Sequence, residues 1–126
     1  MALVICTGVD PILLNTRRLI LEQAGHTAIN VTDENALVAA CSQHPFVVAV
    51  IGQAVTAKMK RRIAAIIREH CPAVKILELY DNRTGHVLDD ADDSLLTPAE
   101  VPKDLADRVD DLARQAGQGK PNGVKV

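Results

Sequence analysis

Short apolar runs rich in β-branched residues alternate with amphipathic segments along this chain of 126 residues. The most apolar run, FVVAVI at 46–51, has no polar alternation and is therefore typical of a strand buried on both faces. A strand of that kind needs layers above and below its sheet. Comparable runs recur along the chain, and together they predict five strands, at 2–6, 27–31, 46–51, 74–79 and 94–96.

Helix signals separate these runs. Asp10 followed by Pro11 is typical of a helix cap and a first helical residue, and Gly25 is typical of the position just after a helix. Similar signals predict a second helix from Thr32 or Asp33 to Pro45, a third after residue 52 and a last one over about 102–115, whereas 80–93 has no apolar helical stripe. Strands that alternate with helices predict a parallel sheet with helices on both faces.

The length predicts one domain over 1–115, followed by a glycine-, proline- and lysine-containing tail at 116–126 that we expect to be disordered. The first residues lack the pattern of a signal peptide, and no apolar stretch approaches the roughly 18 residues of a membrane span, so we expect a cytoplasmic protein with no membrane contact. Cys6, Cys41 and Cys71 include no Cys-x-x-Cys pair and suit buried thiols in a reducing compartment. His26, His44 and His86 are expected at the surface. The core-facing stripe of the third helix is expected to consist of Met59, Ile63, Ile66, Ile67 and His70.

Charge is distributed unevenly although the net charge is only −2. Carboxylates are concentrated between residues 81 and 111. The third predicted helix carries a basic face, which is either solvated or an interaction surface for a partner with acidic groups. The net charge and an aromatic content of 2% argue against nucleic acid. The candidate interaction surface consists of Lys58, Arg61, Arg62 and Arg68.

Three segments occur in a recognisable order: LEQAGH at 21–26, HPFVVAVIG at 44–52 and ADDSLLTP at 91–98. In this order they resemble the receiver domain of bacterial response regulators, over residues 2 to about 115. The resemblance implies an α/β fold: a (βα)5 flavodoxin-like three-layer sandwich with a five-stranded parallel sheet. Because 80–93 has no helical stripe, we expect the fourth helix to be shortened or irregular.

Receiver chemistry needs a phosphate-accepting carboxylate after the third strand, an acidic pair after the first strand for Mg²⁺, a hydroxyl after the fourth strand and a lysine after the fifth. In this chain the corresponding positions lack the acceptor carboxylate and the lysine, and a single carboxylate, Asp10, remains after the first strand. The hydroxyl is also lacking unless Tyr80 supplies it. The resemblance therefore implies that aspartyl phosphorylation is lost. The degenerate positions are Gly8, Val9, Asp10, Ile51, Gly52, Glu78, Leu79, Thr97 and Pro98.

These observations predict an atypical receiver-like domain, a pseudo-receiver, that acts in signal transduction as a phosphorylation-independent protein-interaction module. We expect no enzymatic activity, no cofactor and no metal. The partner is a protein, with a homodimer as one option through the basic face and the acidic end. The alternative is a small-ligand or nucleotide sensor at the carboxyl edge of the sheet. Three further options stay open. One is an enzyme that uses Cys6 or His86, and another is a cis bond at Thr97-Pro98. The third is a metal site, either at Cys41 and His44, at His70 and Cys71, or for Ca²⁺ in the acidic loop at 89–93.

Overall fold

The computed structural model describes residues 2–83, 85–97 and 102–125, with side chains described as far as residue 116. Five parallel strands form one sheet in the order β2-β1-β3-β4-β5. This order confirms the predicted (βα)5 flavodoxin-like sheet, with helices on both of its faces. The elements are β1 (Leu3–Thr7), α1 (Pro11–Gln23), β2 (Thr27–Val31), α2 (Glu34–Gln43), β3 (Val48–Ile51), α3 (Ala57–His70), β4 (Lys75–Tyr80), β5 (Asp93–Leu96) and α4 (Lys103–Lys125).

The core is divided into two apolar clusters, one on each face of the sheet. Alternate residues of a strand point to opposite faces, so Ile51 and Ile76 join α2 and α3 in the first cluster, whereas Val50 and Leu77 join α1 and α4 in the second. All four residues of β3 are buried, as the run FVVAVI predicted. None of the helices that the structure describes is long and apolar enough to cross a membrane.

Local capping signals were predicted correctly. The Asp10 carboxylate accepts a hydrogen bond from the Ile12 amide at 2.9 Å, and Pro11 begins α1. Asp33 caps α2 in the same way through the Ala36 amide, at 2.8 Å. Gly25 follows α1 with φ of 95°, a conformation that side chains other than glycine rarely adopt. Capping depends on neighbouring residues alone, so the sequence reveals it directly.

Two helical regions differ from a regular receiver pattern or from the predicted bounds. The described residues between β4 and β5 form no helix, which agrees with the expected irregular fourth helix. At the other end of the chain, α4 continues to Lys125, beyond the predicted end near 115. Packing beyond residue 116 lies outside the described side chains, and the glycines and Pro121 disfavour an isolated helix there. The division into a domain at 1–115 and a disordered tail at 116–126 therefore stays a prediction.

The predicted apolar stripe of α3 was wrong at two of its five positions. Met59 and His70 were expected in the core, but both are exposed. Lys60 occupies a buried position of the helix instead, beside Ile63 and Ile67. Its burial depends on its partner Glu78 in β4, and helical periodicity cannot reveal a partner in another element.

The expectation of three buried thiols was wrong for Cys41 and Cys71, which form a disulfide between the end of α2 and the C-cap of α3. Their Cα atoms are 5.8 Å apart, within the usual range for a disulfide. Packing of α2 against α3 brings together residues that are 30 positions apart in the sequence. Cys6 is a free, buried cysteine, as expected.

The surface expectation for histidines was wrong for His26, which is buried between α4 and the start of the sheet. Its Nδ1 accepts a hydrogen bond from the Ala2 amide at 3.0 Å, so Nε2 carries the proton and donates it to Asp110 at 2.6 Å. His26 therefore connects the beginnings of β1 and β2 to the final helix.

We expect the Cys41–Cys71 disulfide to stabilise the protein by about 3–4 kcal/mol, since it closes a loop of about 30 residues in the unfolded chain. Denaturant unfolding with and without a reducing agent measures this difference. Cys71→Ser should remove the dependence on the reducing agent, whereas the matched variant Cys6→Ala should keep it. Thiol titration of the unfolded, unreduced protein should find Cys6 alone, and titration of all three cysteines would contradict the disulfide.

Candidate functional site

The carboxyl edge of the sheet is where receiver chemistry would take place, and its central position is apolar. Ile51 lies at the end of β3, in register with Thr7 on one side and Glu78 on the other. The Ile51 side chain is fully buried in the first cluster. It has neither the oxygen nor the access to solvent that phosphorylation requires.

The loop after β1 contains Gly8, Val9 and Asp10, where the resemblance implies an acidic pair. Gly8 is buried against Leu14, and a Cβ atom placed on it would lie 3.3 Å from that side chain. Val9 is 59% exposed. Asp10 uses a carboxylate oxygen to cap α1. The loop thus presents an exposed apolar side chain where an acidic pair would hold a cation.

Gly52 follows Ile51, and a cationic side chain from α1 reaches it. A Cβ atom placed on Gly52 would lie 3.0 Å from a guanidinium nitrogen of Arg17 and 3.2 Å from the backbone oxygen of Thr7. Arg17 also donates a hydrogen bond to Oε1 of Gln53. The absence of a side chain at Gly52 therefore makes room for a guanidinium at the sheet edge. We missed Arg17 from the sequence because an arginine in a helix is usually exposed.

The remaining degenerate positions do not converge into a phosphate site. Thr97 Oγ1 donates a hydrogen bond to the backbone oxygen of Tyr80 at 3.0 Å, which fastens the end of β5 to β4. Leu79 is buried in the second cluster. Pro98 lies outside the described residues, so the configuration of the Thr97-Pro98 bond stays open.

Glu78 is fully buried and forms an ion pair with the equally buried Lys60. Lys60 Nζ donates to Glu78 Oε2 at 2.9 Å and to the backbone oxygen of Leu79 at 2.7 Å. The carboxylate also accepts hydrogen bonds from the amides of Val87, at 2.7 Å, and Leu88, at 2.9 Å. Glu78 thus binds the segment between β4 and β5 to the sheet at the place where a receiver would have a helix.

The pKa of Glu78 reflects both its burial and its hydrogen bonds. Burial by itself raises the pKa of this carboxyl, but the hydrogen bond from Lys60, those from the Leu88 and Val87 amides and the Lys60 charge together lower it below its ordinary value. Glu78 is therefore a structural carboxylate at neutral pH. The pairing was missed because Lys60 and Glu78 lie 18 residues apart and neither sequence pattern indicates the other.

A cavity of about 270 Å³ opens at the carboxyl edge between β1, β2, α2 and α3. We call it the apolar cavity. Exposed Val9 and Met59 belong to its lining, together with buried aliphatic side chains. Such a combination is typical of a site that takes an apolar group from another molecule. The buried aliphatic residues are Val31, Leu37, Val55 and Ile63.

A second cavity, of about 220 Å³, lies on the opposite face of the sheet between α1, α4 and the ends of β4 and β5. We call it the Arg17 cavity. Polar groups from Arg17, Gln53 and Thr97 line it alongside aliphatic side chains. The carboxyl edge therefore has two recesses, one on each face of the sheet.

The predicted basic face of α3 is partly neutralised within the chain. Arg62 donates two hydrogen bonds to the Glu34 carboxylate, each at 3.1 Å. Arg68 donates to backbone oxygens of Val74 and Asp90 and lies 3.5 Å from the Asp92 carboxylate. Both are therefore engaged in holding neighbouring segments. Within the part of the chain that the structure describes, Lys58 and Arg61 are exposed and have no ion pair.

The groups considered for catalysis or metal binding do not assemble into a reactive centre. Burial raises the pKa of Cys6 to about 12, although the nearby Arg17 charge opposes this shift, so Cys6 is a neutral thiol at physiological pH. His86 is half exposed and lies 3.8 Å from the already paired Glu78. Cys41 is in a disulfide. Among the described residues, no group of three or more His, Cys, Asp or Glu side chains is placed to hold a metal ion.

No protein-family model and no curated protein sequence matches the chain. Solved structures do match its fold. One is an uncharacterized protein from Neptuniibacter caesariensis, with 13% identity, 99% of this chain and 96% of that chain covered, and a TM-score of 0.82. Another is a CheY-like response regulator receiver domain protein from Methanospirillum hungatei JF-1. It has 14% identity and a TM-score of 0.71, and the match covers 94% of this chain and 98% of that chain. A response regulator from Thermotoga maritima has 17% identity and a TM-score of 0.71, and the match covers 90% of this chain and 98% of that chain.

Replacing Lys60 by methionine keeps an unbranched side chain, one heavy atom shorter, and removes the charge. We expect the free energy of unfolding at neutral pH to fall by about 3–5 kcal/mol, because the buried Glu78 carboxylate loses its counter-charge. Urea unfolding measures this loss. The matched control is Lys58→Met on the exposed side of the same helix, which should change stability by less than about 0.5 kcal/mol.

Comparing wild type with Lys60→Met at several pH values tests whether the lost charge causes the loss of stability. Because the pKa of Glu78 is lowered on folding, the ionised carboxylate contributes stability above its ordinary pKa of about 4.3, and the contribution is lost as the pH falls through the folded value. The difference in stability between wild type and Lys60→Met should therefore shrink as the medium becomes acidic. A difference that stays constant with pH would mean that lost packing, rather than lost charge, destabilises the variant.

Proposed function

Because the chain has the receiver-domain fold, we propose that it is a pseudo-receiver: a signalling domain that binds a protein partner without being phosphorylated. The observation that carries this proposal is the position and burial of the Ile51 side chain. This side chain stands at the end of β3, where the resemblance implies the phosphate-accepting carboxylate, and it is fully buried in the core. An alkyl side chain has no atom that can accept a phosphoryl group.

The surroundings of Ile51 support the same conclusion. Receiver chemistry also requires a cation site, and the loop after β1 provides only Asp10, whose carboxylate caps α1. The position of the lysine is taken by Thr97, which is bonded to β4. A displaced acceptor would thus lack both the metal and the lysine that stabilise the transferred group. We therefore propose no enzymatic activity.

The apolar cavity is the surface on which we propose that the partner binds. Val9 and Met59 expose apolar surface at its mouth, and the charged residues of its lining are Asp33 and Glu34. An apolar centre with a charged rim is the usual anatomy of a protein interface. The partner that fits best inserts an apolar side chain into the apolar cavity.

Self-association through the acidic end is supported less well. Asp92 lies within 3.5–4.0 Å of Arg68 and Lys75, and Asp93 pairs with Arg108 at 3.1 Å. These carboxylates are therefore engaged inside the chain. A homodimer stays an alternative partner, to be distinguished by sedimentation.

The alternative function, a small-ligand or nucleotide sensor, is favoured by the Arg17 cavity. Both cavities at the edge are smaller than the roughly 300–1,000 Å³ of typical ligand sites. Small molecules therefore suit this alternative better than nucleotides. A thermal-shift screen separates the two functions, since a ligand that binds only the folded protein raises its melting temperature.

The proposal predicts that incubation with acetyl phosphate and Mg²⁺ adds no phosphoryl group. Intact-mass spectrometry of the full chain, with and without the metal, measures this directly. A receiver with an intact acidic site, treated in parallel, shows that the reagent is active. A metal-dependent gain of one phosphoryl mass would contradict the proposal, and peptide mapping would then identify the acceptor.

The proposed interface predicts that Met59→Glu weakens partner binding by tenfold or more, because a carboxylate would be placed against an apolar group at the centre of the contact. Cross-linking followed by quantitative capture compares this variant with wild type, and sedimentation detects a homodimer. Leu19→Glu is the matched control, because Leu19 is 54% exposed on α1 and does not line the apolar cavity. Equal losses for both variants, or for neither, would contradict this surface.

A further inference from the structure

Arg17 occupies a core position of α1. The buried residues of this helix are Leu14, Arg17 and Leu21, which follow one another at helical spacing on the side that faces the sheet. Arg17 is 8% exposed, close to the 2% and 0% of the two leucines. Arginine is rarely buried to this degree unless it is paired.

The described residues provide little compensation for this charge. The guanidinium donates to the neutral oxygen of Gln53, and no carboxylate in the described part of the chain forms an ion pair with it. Asp10 and Cys6 are the nearby titratable groups. One is engaged as the cap of α1, and the other is a neutral thiol. Burial lowers the pKa of Arg17, and the nearby Cys6 and Asp10 oppose this shift only in part. The guanidinium nevertheless remains charged, as arginine does in proteins.

The Arg17 cavity gives the guanidinium access to a recess of about 220 Å³. Leu13 and Ile20 of α1 form one side, Leu79 and Leu95 of the sheet form the floor, and Leu105 of α4 belongs to the opposite side. These aliphatic side chains provide no counter-charge. The recess therefore combines one buried cation with apolar walls.

We propose that the Arg17 cavity binds a small organic carboxylate, whose anionic group pairs with the Arg17 guanidinium and whose apolar body lies among the aliphatic walls. The planar guanidinium matches a carboxylate through two parallel hydrogen bonds. Gln53 provides a further amide group beside it. The carboxylate supplies the counter-charge that the described part of the chain lacks.

Charge and volume together define the ligand class. A carboxylate carries one negative charge and neutralises Arg17, whereas a phosphate dianion would leave a net negative charge in an apolar recess, which is unfavourable. A cavity of about 220 Å³ lies below the range for drug-sized ligands. Short-chain aliphatic acids and single-ring aromatic acids meet both conditions. This inference does not rest on the protein-interaction function, because the two cavities lie on opposite faces of the sheet.

The test compares benzoate and hexanoate with benzamide, hexanamide and phenyl phosphate, using the full chain and NMR spectra of its leucine methyl groups. We expect saturable shifts for the methyl groups of Leu13 and Leu105 with the two carboxylates. The amides should bind roughly tenfold to a hundredfold more weakly, since they lack the charge-assisted hydrogen bonds. Equal binding of acid and amide, or no saturable shift with either acid, would overturn the proposal, and tighter binding of phenyl phosphate would overturn the assignment to carboxylates.

Arg17→Met gives the residue-level test, because methionine keeps an unbranched apolar stem in the core while removing the guanidinium. We expect it to abolish the preference for acid over amide. The adjacent Arg18→Met is the matched control: Arg18 is more exposed and pairs with Glu22, so this variant should keep that preference. Loss of preference in both variants would contradict a role for Arg17. If Arg17→Met fails to fold, the comparison of acid with amide binding to the wild-type protein still tests whether the cavity prefers a carboxylate.

Discussion

The buried ion pair between Lys60 and Glu78 is the interaction on which the unusual half of this fold depends. It joins α3 to β4, and the same carboxylate accepts two amide hydrogen bonds from the segment that replaces a helix. Buried amides need acceptors, which a regular helix would supply from its own backbone. Glu78 supplies them here. The segment can therefore cover the first core cluster with Leu88 although its described part has no helix.

In a receiver domain, the fold and the phosphorylation chemistry depend on different parts of the structure. The fold depends on apolar strands and on caps in the first turns of the helices. The chemistry depends on a few polar positions at the carboxyl edge. Ile51, at the position where the resemblance implies the phosphate-accepting carboxylate, adds a buried apolar side chain to the first cluster and so contributes to the core. Arg17 and Gly52 then bring a guanidinium to the same edge without restoring the phosphate site.

The two cavities give this edge two different chemical characters. The apolar cavity is surrounded by side chains of the first cluster and suits an apolar group from a protein. The Arg17 cavity lies against the second cluster and contains a charge that the described chain leaves largely uncompensated. Since β1, β3 and β4 separate them, one molecule can occupy either recess independently. The proposed protein contact and the proposed carboxylate site therefore use separate recesses of the same sheet edge.

The sequence by itself determined the strands, the parallel sheet, the caps at Asp10 and Asp33, the glycine turn at Gly25 and the absence of receiver groups at Ile51 and Thr97. Each of these is a local property, fixed by a short run of residues and its neighbours. Only the tertiary structure decided that Lys60 and Arg17 are buried, that His26 is internal and that Cys41 pairs with Cys71. Their partners lie 18, 36, 84 and 30 residues away, and burial of a polar side chain is favourable only once folding has placed such a partner beside it.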